Sequence, residues 1–173
     1  MRVYLRIILA AFVTIFLSCT SIPPVEKSRN KSIVVTYIER SEKDSGGVFA
    51  EYNFLYDKYF PIRANPSVKY CITKDVEPGK HIIEQVEVLY LRDGKKARSY
   101  TNSFNFNTKE GAITILPRKI VLTMIRDNNN LITNQMHRIV PMYERDYNNC
   151  IEYLMKEENI KGWEIIRGDK KIE

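Results

Sequence analysis

Short segments in which apolar and polar residues alternate recur along most of the chain. These segments are rich in valine, isoleucine, tyrosine and phenylalanine, which favour β-strands. Turns containing glycine, proline or asparagine separate them at short intervals, as in all-β domains. We therefore predict a mainly β domain, an antiparallel β-sandwich of about seven to nine strands. The predicted strands cover residues 33–39, 48–56, 68–73, 81–91, 112–116, 119–126 and 131–140, with one more through Phe104 and Phe106.

Three turns predict how neighbouring strands connect. The polar stretch at residues 42–47 predicts an antiparallel hairpin between segments 33–39 and 48–56. Residues 77–80 place proline and glycine where a type II turn needs them. Asp93-Gly94 is a strong hairpin signal, because these residues accept the positive φ angles of a type I′ turn.

Two details of the strand pattern depend on the three-dimensional arrangement. Pro117 interrupts a strand, which resumes at residue 119 either on the opposite sheet or after a bend. Along residues 81–91, strict alternation places one set of side chains on the same face. That set is Ile82, Val86, Val88 and Tyr90.

One segment has a helical period instead of an alternating one. Apolar residues recur at the spacing of an α-helix and predict a helix at about residues 142–158, with Pro141 in its first turn. The apolar stripe packs on the sheet or binds a partner, and core packing is the better-supported interpretation. Residues 163–167 form a last short strand or a plug against the core. The stripe consists of Tyr147, Cys150, Ile151, Leu154 and Met155, with Asp146 on the polar face.

Aromatic residues concentrate between positions 52 and 60. Tyr52, Phe54 and Tyr56 share one face of a strand, and Tyr59 follows closely. These side chains could stack on a sugar ring or a partner's apolar surface. The alternative is that they form the core face of a sheet, which we favour because buried aromatics dominate core energetics.

Length and charge limit the classes of function. The 173 residues are enough for one domain behind an N-terminal leader, and the net charge of +6 comes from scattered lysines and arginines. No cluster of basic residues interleaved with aromatics is present, so we do not expect nucleic-acid binding.

The N-terminal stretch is an export signal by its pattern. Arg2 and Arg6 precede an uninterrupted apolar run at residues 7–17. A transmembrane helix needs roughly 20 apolar residues, whereas the apolar part of a secretory signal needs about 7–15. Residues 1–18 are therefore predicted to be a signal peptide, helical before its removal.

The end of this run is similar to the lipobox of bacterial lipoproteins. Phe16, Leu17, Ser18 and Cys19 carry the resemblance, although leucine stands one position later than usual. It implies cleavage before Cys19, diacylglycerol on its thiol, and a membrane-anchored protein of the bacterial envelope. Thr20, rather than aspartate, follows the cysteine, which in that family favours the outer membrane over the inner membrane.

The remaining domain boundaries and cysteines follow from this assignment. Residues 19–32 contain two prolines and several charges, and we predict that they form a flexible tether. Residues 33–173 then make one domain. With Cys19 carrying lipid, Cys71 and Cys150 remain, and they either form a disulfide in an oxidising compartment or stay as two buried thiols.

Residues 76–81, followed by a long strand, resemble a hairpin found in small immunoglobulin-like or transthyretin-like bacterial envelope lipoproteins. The resemblance implies a β-sandwich and carries no activity.

The chain lacks the motifs of common enzymes. There is no nucleophile elbow, phosphate-binding loop or zinc-protease motif, and His81 and Glu84 lie three positions apart on a predicted strand, where they cannot share a metal. We expect no catalytic residues, metal or cofactor. The preferred function is a lipid-anchored, non-enzymatic binding or structural domain that contacts the bilayer through Cys19 and an envelope protein or polymer. The alternatives are a surface-exposed adhesin or glycan-binding lipoprotein, and a small envelope inhibitor or enzyme.

Overall fold

The computed structural model describes residues 21–25, 30–40, 50–56, 61–91, 94–129 and 132–170, so the predicted signal peptide and Cys19 lie outside it. The described residues form ten strands and one helix, which confirms the mainly β prediction. They are β1 Ser32–Arg40, β2 Ala50–Leu55, β3 Ile62–Ala64, β4 Tyr70–Val76, β5 Gly79–Tyr90, β6 Lys96–Thr108, β7 Ala112–Ile115, β8 Arg118–Arg126, β9 Ile132–Pro141, α1 Glu144–Leu154 and β10 Glu164–Arg167.

Strand β1 is the centre of a six-stranded mixed sheet. β4 pairs antiparallel with one edge of β1, while β7 and then β8 pair parallel with the other. β10 extends the sheet parallel to β7, and β9 extends it antiparallel to β8. The purely antiparallel prediction is therefore wrong for this sheet. Parallel pairing needs a long crossover, and the chain between β1 and β7 provides one by building the second sheet.

The second sheet has the order β3-β2-β5-β6 and is antiparallel throughout. The predicted hairpin of residues 33–39 with 48–56 is wrong, because β2 pairs with β3 and β5 instead of β1. The turn at residues 77–80 likewise connects β4 in one sheet to β5 in the other and closes no hairpin. The β5–β6 hairpin is confirmed, with Gly94 at φ +66° donating its N–H to the carbonyl of Tyr90.

Pro117 bends the chain without moving it to the other sheet. Ile113 lies opposite Ile33, and Ile120 lies opposite Ile38, so β7 and β8 follow the same edge of β1. The N–H of Leu116 donates to the carbonyl of Val35 at 3.0 Å, which holds the chain against β1 up to the bend. Of the two arrangements that the sequence allows, the structure has the bend.

The two faces of β1 lie in two different cores. Val34 and Ile38 pack in the core between the sheets, together with Phe54, Val86 and Phe106. The alternate residues Ile33, Val35 and Tyr37 pack beneath α1, with Tyr147, Cys150 and Leu154. The domain therefore has three layers, and β1 is an almost continuous apolar run because both its faces are buried.

A bulge changes the face pattern of β5. The register with β6 shifts between Ile83 and Gln85, because two steps along β5 lie opposite four steps along β6 there. Ile83, Val86 and Val88 point inwards, whereas Ile82 is 50% exposed and Tyr90 is also exposed. The predicted shared face of Ile82 with Val86 and Val88 is wrong because strict alternation fails across a bulge.

Helix α1 is shorter than predicted and begins later. Pro141 is the last residue of β9, opposite Arg118, and is not part of the helix. Tyr147, Cys150 and Leu154 are buried as the helical period predicts, which confirms core packing of the stripe. Met155 follows the helix as its C-cap and is exposed.

The end of the chain connects the two sheets. The N–H of Gly168 donates to the carbonyl of Ile115, and its carbonyl accepts from the N–H of Asn107, both at 2.9 Å. A Cβ atom on Gly168 would lie 3.1 Å from that Ile115 carbonyl, so any other residue would have to push the neighbouring strands slightly apart. Residues 163–167 fit both expectations, since β10 is a short strand and Trp163 is buried in the core under α1.

Candidate functional site

Residues 21–25, which come shortly after the lipobox-like residues 16–19, are packed on the domain. Ile22 is 1% exposed and belongs to the core beneath α1. Its carbonyl accepts a hydrogen bond of 3.0 Å from Nδ2 of Asn159, and the carbonyl of Pro23 accepts one of 2.9 Å from Nε1 of Trp163. The predicted flexible tether at residues 19–32 is therefore wrong for residues 21–25. A buried isoleucine and two hydrogen bonds from side chains to backbone carbonyls hold them in place.

This segment lies at one end of the domain, which we call the basal end. There β1 begins, β5 begins at Gly79, and Trp163 leads into β10. Ser32 donates to the carbonyl of Ala112 at 3.1 Å, and Ala112 lies opposite Glu164 in the sheet. Ion pairs of Lys31 with Glu77 and of Lys109 with Glu164 link the same turns.

A shallow cleft of about 440 Å³ opens at the basal end between the start of β5 and the β6–β7 turn. Lys80, Asn107 and Lys109 are among the residues that line it. Lys109 is already paired with Glu164, and the cleft is open to solvent on one side. Its chemistry is that of a polar surface groove.

His81 is fixed beside this cleft by its neighbours. Its Nε2 lies 2.8 Å from the carbonyl oxygen of Glu77 and 2.9 Å from Oγ1 of Thr108. A carbonyl only accepts hydrogen bonds, so Nε2 carries the proton and cannot bind a metal in this arrangement. The imidazole also stacks on Phe106 and meets the edge of Tyr56. The side chain therefore connects β5, β6 and the residue that follows β2.

Most of the predicted aromatic surface belongs to the core. Tyr52 and Phe54 are 1% and 0% exposed, so neither ring is available to a ligand. Tyr56 is half-buried against the core between the sheets, and Tyr59 lies outside the described residues. Of the two interpretations of this segment, the sheet core is correct for Tyr52 and Phe54.

Tyr52 links the two sheets through polar contacts. Its hydroxyl accepts a hydrogen bond of 2.6 Å from Nε2 of Gln135 on β9, and its ring lies 4.8 Å from that of His137. Burial raises the pKa of Tyr52 to about 12, and burial lowers the pKa of His137. Both side chains are therefore neutral at pH 7.

The cysteines lie on opposite faces of the six-stranded sheet. Cys71 lies opposite Thr36 on β1 and packs between the sheets, whereas Cys150 packs beneath α1. Of the two alternatives for these cysteines, the structure has two buried free thiols. Burial raises the pKa of Cys71 to about 11 and that of Cys150 to about 12. Neither thiol is an activated nucleophile at neutral pH.

Sequence reasoning missed a buried ion pair beneath the start of α1. The Nζ of Lys119 lies 2.7 Å from Oδ2 of Asp146 and 2.5 Å from Oε2 of Glu39. The side chains of Lys119 and Asp146 are 5% and 1% exposed. Oδ2 of Asp146 also accepts the N–H of Tyr143 at 3.0 Å, which satisfies a free donor at the helix start. The pair therefore fastens α1 to β8.

The charges of this cluster stabilise each other. Burial alone would lower the pKa of Lys119, but the hydrogen bonds and charges of Asp146 and Glu39 outweigh burial and raise it. Burial alone would raise the pKa of Asp146, and Lys119 together with the N–H of Tyr143 lowers it. Lys119 therefore stays protonated and is not a nucleophilic amine. A lone lysine in the apolar run of residues 119–122 was the available sequence signal.

Within the described ranges, no three histidine, cysteine, aspartate or glutamate side chains come together as a metal site would require. The described part of the chain also contains no helix with the length and apolar character needed to span a bilayer. Comparison with protein-family models, with curated proteins and with solved structures found no match to this chain.

Proposed function

We propose that the protein is a lipid-anchored protein of the bacterial envelope, with a mature chain that begins at an acylated Cys19. The observation that carries the proposal is the position of the lipobox-like residues 16–19 directly before the packed segment. The contacts of Ile22 and Pro23 all lie after Cys19, so cleavage before Cys19 preserves them. Cleavage at the proposed site would therefore leave the packing of the folded domain intact.

The β-rich domain of this proposal is a non-enzymatic binding or structural module for an envelope protein or polymer, at the outer membrane. The chemistry of four side chains supports it. The two described thiols are held protonated, Lys119 is held charged by two carboxylates, and His81 is hydrogen-bonded to a backbone carbonyl. These side chains stabilise the layers of the domain rather than facing a substrate. The two packed sheets of this module form a β-sandwich in our proposal.

The alternative of a glycan-binding adhesin has little support in this arrangement. It relied on the aromatic residues 52–59 as a stacking surface, and Tyr52 and Phe54 contribute to the core instead. Half-buried Tyr56 packs on His81 and Phe106. We therefore advance only the anchored binding or structural domain.

Metabolic labelling with a clickable fatty acid tests the anchor in a bacterium that processes lipoproteins. The wild-type protein should incorporate the label, and Cys19→Ala should abolish incorporation because the acceptor thiol is removed. Cys71→Ala and Cys150→Ala are matched controls that remove a buried thiol and should keep the label. Labelling that persists in Cys19→Ala, or is absent from the wild type, would overturn the proposal.

A further inference from the structure

The packed segment leaves very little chain between the proposed lipid and the domain. Only Thr20 and Ser21 separate Cys19 from buried Ile22. Three peptide steps span at most about 11 Å between the Cα atoms of Cys19 and Ile22. The orientation that we infer rests on the proposed acylation of Cys19, because only a lipid-anchored cysteine makes this short connection limit the distance between the domain and the membrane.

The short connection to Cys19 limits the distance from the lipid only for the basal end of the domain. Ile22 and Pro23 contact Asn159 and Trp163, which lie at that end. Strand β5 runs away from it, from Gly79 to Tyr90, and twelve residues at strand spacing carry the chain about 36 Å. The β5–β6 turn therefore lies far beyond the reach of the two connecting residues.

From this geometry we propose that the basal end of the domain rests on the surface of the lipid bilayer, with its strands directed away from the membrane. The lipid-bearing cysteine lies at the bilayer surface, and the headgroup layer is only about 5–8 Å thick on each side. Because the Cα atom of Ile22 is at most about 11 Å from that of Cys19, the residues that contact Ile22 lie next to the headgroups. The occupant of this end is the bilayer itself.

The exposed residues of the basal end suit this contact but do not drive it. Lys161 is exposed two positions before Trp163, and Glu158 is exposed directly before Asn159. Lysine stems can lie along the interface while their ammonium groups meet phosphates. Glu158 balances the charge of Lys161, so the covalent anchor sets the position and anionic lipid is not required.

Trp163 is the only tryptophan of the chain and reports on the basal end directly. The acylated full-length product would be extracted from membranes and reconstituted into phosphatidylcholine vesicles that carry a nitroxide on the headgroup. Nitroxides quench tryptophan only at short range, so Trp163 should lose most of its emission. A reporter at the opposite end, Y90W introduced while Trp163 and its bond to Pro23 are kept, should add emission that the nitroxide quenches little.

A second variant keeps the fold intact and changes only the length of the connection between Cys19 and Ile22. Ten Gly-Ser residues inserted between Thr20 and Ser21 make a flexible connector of twelve residues with a root-mean-square length of about 20 Å. Quenching of Trp163 should fall in this variant while thermal unfolding stays unchanged, because the contacts of Ile22 remain.

The outcomes separate the two proposals. A product that lacks lipid by mass and does not bind vesicles refutes the anchor, and the orientation with it. An acylated product in which Trp163 and the Y90W reporter are quenched equally, or in which the insertion changes nothing, refutes the orientation and leaves the anchor standing. Strong quenching of Trp163 that the insertion weakens supports both.

Discussion

The indole Nε1 of Trp163 donates a hydrogen bond of 2.9 Å to the carbonyl oxygen of Pro23, 140 positions earlier in the chain. This bond joins the two ends of the described chain and fixes the segment that follows the lipobox-like residues. The proposed lipid anchor, Cys19, stands only three positions before buried Ile22. The position of the domain at a membrane would therefore follow from its own packing.

Ile22→Ala should destabilise the domain although Ile22 lies outside every strand and helix. Truncating a fully buried isoleucine costs about 2–5 kcal/mol. The neighbouring substitution Ser21→Ala removes an exposed side chain and should change the free energy of unfolding by less than about 0.5 kcal/mol. Urea denaturation of a soluble fragment beginning at residue 20 measures both. Equal stability of the two variants would show that the segment is not packed in solution.

Lys119→Met should destabilise the domain strongly, because it leaves the buried carboxylate of Asp146 without its partner. Breaking a buried ion pair on one side costs about 3–5 kcal/mol. Lys109→Met removes the same side-chain type from the pair with half-exposed Glu164 and should cost less than about 1 kcal/mol. A similar loss in both variants would mean that the Lys119 pair is exposed to water.

The same pair predicts a dependence of stability on pH. The pKa of Asp146 is lowered in the folded state, so its contribution is present above the ordinary aspartate pKa near 3.9 and is lost as pH falls through the folded value. The pKa of Lys119 is raised, so its contribution is present below the ordinary lysine pKa near 10.4 and is lost as pH rises through the folded value. The pair therefore stabilises the fold between roughly pH 4 and 10.

Asp146→Asn provides the control for the acid limb of this profile. The difference in unfolding free energy between wild type and Asp146→Asn should shrink as pH falls through the lowered pKa of Asp146, because the wild-type carboxylate then becomes neutral. Denaturation at a series of pH values measures the difference. A difference that stays constant into acid would contradict the ion pair.

Cys71 and Cys150 should react with thiol reagents only after unfolding. A pKa of about 11 for Cys71 lowers its thiolate fraction at neutral pH by about 100-fold relative to an ordinary thiol, and burial blocks access as well. Maleimide labelling with and without denaturant measures the effect in the soluble fragment. Resistance to labelling in denaturant that disappears on reduction would instead show a disulfide.

The sequence predicted where strands occur far better than how they pair. The β-branched and aromatic composition of residues 33–39 predicts a strand, but the neighbours of β1 come from β4, β7 and β8, which no local pattern identifies. Whether the two cysteines can form a disulfide also depends on which strands pair. Only the sheet topology shows that Cys71 and Cys150 face different cores.

The candidate site was predictable only in part. Residues 16–19 are a local motif and could be recognised, although they lie outside the described structure. Ile22 is a single apolar residue before two prolines, with no periodicity to mark it as buried. The helical period assigned Asp146 to the polar face, and it is buried because the start of α1 lies over Lys119. The burial of Ile22 and that of Asp146 both depend on contacts with residues far away in the sequence.

The most direct measurement is the intact mass of the protein extracted from bacterial membranes in detergent. We predict a chain that lacks residues 1–18 and carries the mass of a diacylglycerol on Cys19, with or without a further acyl group on its amine. A mass equal to the uncleaved chain, or to a cleaved chain without lipid, would contradict the central claim.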